Sequence, residues 1–142
     1  MYNLNNLLKN MVDNNASDLH LSVGSQPRVR TNGLLRPLEG EKISPANMKD
    51  ILKEHLDQNR FKKIEEGQEI DFSIGLPGVS RFRVNFFKQR GNLVATFRRL
   101  PYEIPDINSL GLPDSVINLA KSKKGLILIT GSTGSGKSTT MA

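Results

Sequence analysis

The chain has 142 residues, 24% of them charged and 37% hydrophobic, with a net charge of +6; this balance predicts a soluble globular protein and not a disordered one. No apolar run approaches the roughly 20 residues that cross a bilayer, and no basic stretch followed by an apolar one opens the chain, so neither a transmembrane segment nor a secretory signal is expected. The lack of cysteine excludes disulfides, thiolate metal ligands and a cysteine nucleophile and fits a cytoplasmic protein, while the basic excess suits nucleic acid, acidic lipid or a phosphate ligand.

Leu4, Leu7, Leu8, Met11 and Val12 fall on one helix face, which predicts a helix over residues 1–14. From Ala16 to Val23 the period becomes two, with Leu19, Leu21 and Val23 on one side of a strand and His20 and Ser22 on the other. Arg28-Val29-Arg30 and Leu34 to Leu38 read as a hairpin joined by Thr31-Asn32-Gly33, whose Asn-Gly pair is a strong turn signal. Ser44-Pro45 opens the clearest helix, a capping serine before proline, with Met48, Ile51, Leu52, His55 and Leu56 as its stripe. Phe61 and Ile64 predict a second helical piece ended by Gly67.

Three strands follow. Ile70, Phe72 and Ile74 alternate in the first; Val79 to Lys88 is the second and Leu93 to Arg98 the third, with turns at Leu76-Pro77-Gly78 and Gln89-Arg90-Gly91-Asn92. Short strands joined by tight turns predict an antiparallel sheet carrying helices, an α+β domain. Pro101, Pro105 and Pro113 punctuate a stretch of little periodicity, read as an interdomain linker. A short helix with Val116, Ile117 and Ala120 comes next, finished by Lys121, Lys123 and Lys124. The boundaries are 1–99 for the first domain, 100–112 for the linker and 113–142 for the start of a second domain.

The most specific signal lies at the end. Leu126 to Ile129 reads as a buried strand, and Gly131, Ser132, Thr133, Gly134, Ser135, Gly136, Lys137 and Ser138 fit the phosphate-binding pattern G-x-x-x-x-G-K-[ST]. Glycines let successive N–H groups point into one concavity, and the following helix adds unpaired N–H groups. Lys137 is predicted to face solvent and to reach the β- and γ-phosphates of ATP, and the Ser138 hydroxyl to bind Mg²⁺; Thr139 extends the loop's contacts. Four residues follow the loop, too few to supply an acidic Mg²⁺ ligand or a group that orients water. The expectation is therefore a fragment that binds nucleotide but does not hydrolyse it alone.

Between Arg81 and Arg99 stand six basic residues and no acid. On a strand, Arg81, Arg83 and Asn85 share one face and Phe82, Val84 and Phe86 the other. The arginines could line a solvated face, clamp a triphosphate through bidentate guanidinium contacts, or, with Phe87 on the same face, contact single-stranded nucleic acid. His20 and His55, far apart, suggest packing or polar surface and no metal site. Glu65, Glu66, Glu69 and Asp71 read as solvated surface.

Ala16-Ser17-Asp18-Leu19-His20-Leu21, Arg28 to Gly33, Asp71-Phe72-Ser73, Arg81-Phe82-Arg83-Val84-Asn85 and the phosphate loop together resemble the secretion-ATPase superfamily. Within it the chain is most similar to the retraction ATPases of type IV pili. The resemblance implies a PAS-like N-terminal domain, a flexible linker and a RecA-like ATPase domain, with ATP between the two domains. It also implies a homo-hexameric cytoplasmic motor, peripheral at the inner membrane face, working on the platform protein of the pilus and not on nucleic acid. Arg81 and Arg83 map onto arginines that reach the phosphates, and Arg98 is a further match. Pilus-assembly and type II secretion ATPases share the loop and form the alternative within the family; a basic nucleic-acid-binding module is the alternative outside it.

Overall fold

The structure is a computed structural model that describes residues 2–100, 105–132 and 135–141. It divides into two units, 1–101 and 102–142.

The first unit begins with α1 (Leu4–Asp13), capped by the Asn3 side chain on the Asn6 N–H at 3.1 Å. Its stripe is buried: Leu4, Leu8 and Met11 are wholly inaccessible. Strands β1 (Asp18–Ser22), β2 (Arg28–Thr31) and β3 (Leu34–Pro37) follow, then α2 (Pro45–His55) and α3 (Gln58–Glu65), then β4 (Ile70–Leu76), β5 (Ser80–Gln89) and β6 (Asn92–Leu100). The six strands form one sheet in the order β3-β2-β1-β6-β5-β4, and every neighbouring pair is antiparallel. This is the expected α+β class, with the strands in PAS-like order. The pairing of β1 with β6 carries the chain's beginning to the end of the unit, so the sheet closes its own centre.

Local chemistry sets the corners. Asn32 and Gly33 both have positive φ, +51° and +79°, and Thr31 pairs with Leu34 across them, as a two-residue mirror-image turn requires. Arg90 and Gly91 repeat this geometry between β5 and β6, at +50° and +78°. Ser44 and Asn47 cap α2 reciprocally, with the Asn47 N–H donating to Ser44 Oγ at 3.1 Å. Gly67, at φ +89°, ends the helical pair as expected.

The helices cover one face of the sheet. There Phe82, Val84 and Phe86 of β5 meet Ala95 and Phe97 of β6, all at most 1% exposed. Phe86 stacks on Phe72 and sets its edge against Phe97, each with ring centres 5.8 Å apart. Burying a side chain of this size contributes about 1.5–3 kcal/mol, so this aromatic seam is a main anchor of the core. The opposite face carries the polar side chains.

In the second unit a 3₁₀ turn (Ile107–Leu110) is capped by Asp106, whose carboxylate accepts the Asn108 N–H at 2.8 Å. Gly111, at φ +64°, closes it. α4 (Asp114–Ala120) follows, and α5 (Lys137–Met141) ends the description. The lysines at 121, 123 and 124 lie beyond α4, not within its last turn. Residues 126–129 depart from the expectation of a buried strand. Among the described residues no strand pairs with them, and Leu126, Ile127, Leu128 and Ile129 are 82%, 51%, 76% and 37% exposed. A strand of a parallel sheet takes its partners from crossover segments a dozen or more residues away. Pro101 and the two loop residues Thr133 and Gly134 lie outside the described residues.

Candidate functional site

The glycine loop folds back on its own lysine. Lys137 Nζ donates to the carbonyl oxygens of Gly131 at 2.8 Å and Ser132 at 2.6 Å. Both bonds lie at the surface, so the ammonium stays accessible while resting on two carbonyls of its own loop, of which Ser132 also accepts from the Ser135 N–H at 3.3 Å. Gly131, at φ +157°, holds a backbone conformation that side chains rarely adopt, and a Cβ there would lie 2.7 Å from Ser135 Oγ, which would have to rotate away. Gly136, at φ +88°, accepts from the Thr140 N–H at 2.9 Å and starts α5. Lys137, Ser138 and Thr139 form the first turn of that helix.

The second polar locus is the helix-free face of the sheet in the first unit. As expected, Arg81 and Arg83 are exposed while Phe82, Val84 and Phe86 are buried. Cross-strand register sets Ser73, Arg83, Arg98, Asp18 and Arg30 in one row over five strands. The next row holds Asp71, Asn85, Thr96, His20 and Arg28. Arg99 pairs with Phe82 and so belongs to the helix-covered side, where its Nε is buried without a partner among the described residues.

The arginines are not free of acids. Arg83 Nε donates to both Asp71 oxygens, at 3.0 and 2.9 Å, and Nη2 donates to Oδ2 at 2.6 Å, a two-pronged ion pair. Arg98 Nε donates to Asp18 Oδ1 at 2.9 Å, and Arg30 Nε lies 3.5 Å from Asp18 Oδ2. The stretch itself holds no acid, as its sequence shows, but acids of neighbouring strands pair with two of its arginines. Arg81 alone of the three candidate arginines has no ion pair among the described residues. The acids Glu65, Glu66, Glu69 and Asp71 are exposed as expected, and at the surface Glu69 accepts from Asn85 Nδ2 at 2.6 Å while Asp71 holds Arg83.

Asp18 is the buried member of this face, 5% exposed. Burial alone would raise its carboxyl, but hydrogen bonds from Ser17 and Arg98 and the charges of Arg98 and His20 hold it below the ordinary carboxylate range. Burial pushes the His20 imidazole down; Asp18 opposes this, and Arg30 and Arg98 add to it. Hydrogen bonds from Arg83 hold Asp71 low, and the same contact raises the Arg83 guanidinium. Asp18 and Asp71 were missed as site residues although both stand in the segments that carry the family resemblance.

A family description, "Type II/IV secretion system protein", matches residues 1–142. The type IV pilus retractation ATPase PilT of Pseudomonas aeruginosa is 39% identical over 127 residues, covering 89% of this chain and 37% of PilT. The type IV pilus ATPase PilU of the same organism is 34% identical over 136 residues, covering 96% and 36%. Among solved structures, the pilus retraction motor PilT with bound ADP aligns at a TM-score of 0.84 and 42% identity, over 99% of this chain and 41% of that one. The Legionella pneumophila ATPase DotB aligns at 0.83 and 28% identity, over 98% and 40%. This chain spans only about two fifths of these relatives' length. With the family description matched along every residue and a relative of the same fold at 42% identity, the chain belongs to the Type II/IV secretion system protein family.

Proposed function

We propose that these residues are the N-terminal part of a type IV pilus motor ATPase whose work is retraction of the filament. The observation that carries the reading is the glycine loop gathered around the Lys137 ammonium. Phosphate oxygens are stronger acceptors than neutral carbonyls, so the ammonium can exchange Gly131 and Ser132 for the β- and γ-phosphates of ATP. Gly131, Ser132, Thr133, Gly134, Ser135 and Gly136 would hold the phosphates through main-chain N–H groups, with Thr139 beside them. Ser138 would hold Mg²⁺, which supplies neutralisation of the charge on the phosphates. Arg81, Arg83 and Arg98 serve the same phosphates in the working motor.

The working form in this proposal is a homo-hexamer, cytoplasmic and peripheral at the inner membrane, acting on the platform protein of the pilus. Among the described residues no helix is long and apolar enough to cross a membrane. The family description, a Type II/IV secretion system protein, supports a second reading, a secretion or pilus-assembly motor.

The test has two arms. Lys137→Ala in the intact motor is expected to abolish ATP hydrolysis and leave the far-UV dichroism unchanged; wild-type turnover would remove the loop assignment. Complementation then separates the two readings. Restored twitching in a retraction-deficient strain supports retraction, and restored piliation or secretion alone supports the second reading.

A further inference from the structure

Arg83 and Arg98 stand directly opposite each other across β5 and β6. Like charges at facing positions of an antiparallel pair repel. Each is drawn outward by a carboxylate on its far side, Arg83 by Asp71 of β4 and Arg98 by Asp18 of β1. Between the two guanidiniums lies a hollow of about 330 Å³ with Asn85 and Thr96 in its lining.

The attachment of Arg83 is one-sided. Asp71 takes the Nε and Nη2 edge, and Nη1 has no hydrogen-bond partner among the described residues. A guanidinium carries five N–H donors in a planar fork. An acid on one edge therefore leaves the other edge able to grip a second oxyanion, in an orientation the first acid has fixed. The pair is also exposed, with Arg83 at 63% and Asp71 at 40%, so it adds little to stability.

We infer that Asp71 is a positioning residue, which grips the inner edge of Arg83 and so presents the outer edge to the transferring phosphoryl group. The inference rests on the proposed role of Arg83 at the ATP phosphates. It differs from a structural tie in acting only through Arg83.

The experiment compares Asp71→Ala, Asp71→Glu, Arg83→Ala and the double variant Asp71→Ala/Arg83→Ala in the intact motor, by kcat, KM and Tm. Asp71→Ala is expected to lower kcat about ten- to a hundredfold, the usual cost of a misplaced catalytic contact, with KM for ATP and Tm near wild type. Asp71→Glu should recover part of the loss, and the double variant should be no slower than Arg83→Ala. The inference is overturned if Asp71→Ala turns over normally while Arg83→Ala is slow. It is equally overturned if the two losses multiply, or if kcat falls only with Tm. Normal turnover by Arg83→Ala would sink the phosphate reading itself, and this inference with it.

Discussion

Asp18→Asn is the sharpest perturbation of the first unit. The carboxylate is 7% exposed and bonds Ser17 Oγ at 2.8 Å and Arg98 Nε at 2.9 Å, with Arg30 Nε at 3.5 Å. Asparagine keeps the volume but loses the charge, and its amide donors face guanidinium donors. Breaking a fully buried ion pair costs about 3–5 kcal/mol because the abandoned partner stays desolvated. Here Arg98 is 66% and Arg30 38% exposed, so both recover water. What remains is the loss of hydrogen bonds to a charged acceptor, about 1.5–3 kcal/mol. At roughly 4–8 °C per kcal/mol for a unit of this size, a loss of about 2 kcal/mol lowers Tm by about 8–16 °C. A thermal melt of the 142-residue chain by far-UV dichroism at pH 7 measures it. A variant melting within about 2 °C of the parent would show that Asp18 does not tie β1 to β6 and β2, and that the row is surface decoration.

Two further outcomes follow from the same face. Asp18 is held below the ordinary carboxylate value, so its stabilisation is present above about pH 3.9 and is lost as pH falls through its folded value. His20 is also held low, so its contribution is present above about pH 6.5 and declines on acidification, with Asp18, Arg28, Arg30 and Arg98 around it. Urea melts from pH 7 to pH 3 should show stability falling in both windows, and His20→Gln should flatten only the upper one; a slope unchanged in that variant contradicts the assignment. Arg81→Ala in the intact motor is expected to reduce kcat while stability stays within about 0.5 kcal/mol, as for exposed sites. Steady-state kinetics beside a melting curve decide it, and normal turnover would return Arg81 to the solvated face.

What the sequence made legible was what adjacent residues decide. The stripe of α1, the Asn32-Gly33 turn, the Ser44-Pro45 start and the alternation of β5 each rest on residues within a few positions, and each is present in the structure. The arginine face was read correctly for direction, but the acids that pair with it arrive from elsewhere. Asp71 lies 12 residues from Arg83, and Asp18 lies 80 from Arg98. No local count over Arg81 to Arg99 contains either. Register alone joins them, and register depends on how β4 and β1 pair with β5 and β6.

The same distinction governs the second unit, in the opposite direction. Leu126 to Ile129 has the composition of a strand buried on both faces, and composition is all that a short apolar run can report. A strand needs a partner to make its ladder, and among the described residues none pairs with 126–129. The loop that follows needs no such partner. Its shape depends on glycines at 131 and 136 and on an ammonium six residues from the first of them, all within one turn of chain. Lys137 thus finds its carbonyl acceptors within the loop itself, while residues 126–129 before it stand exposed. This is why Lys137, not the strand, is the residue on which the ATPase reading should be tested first.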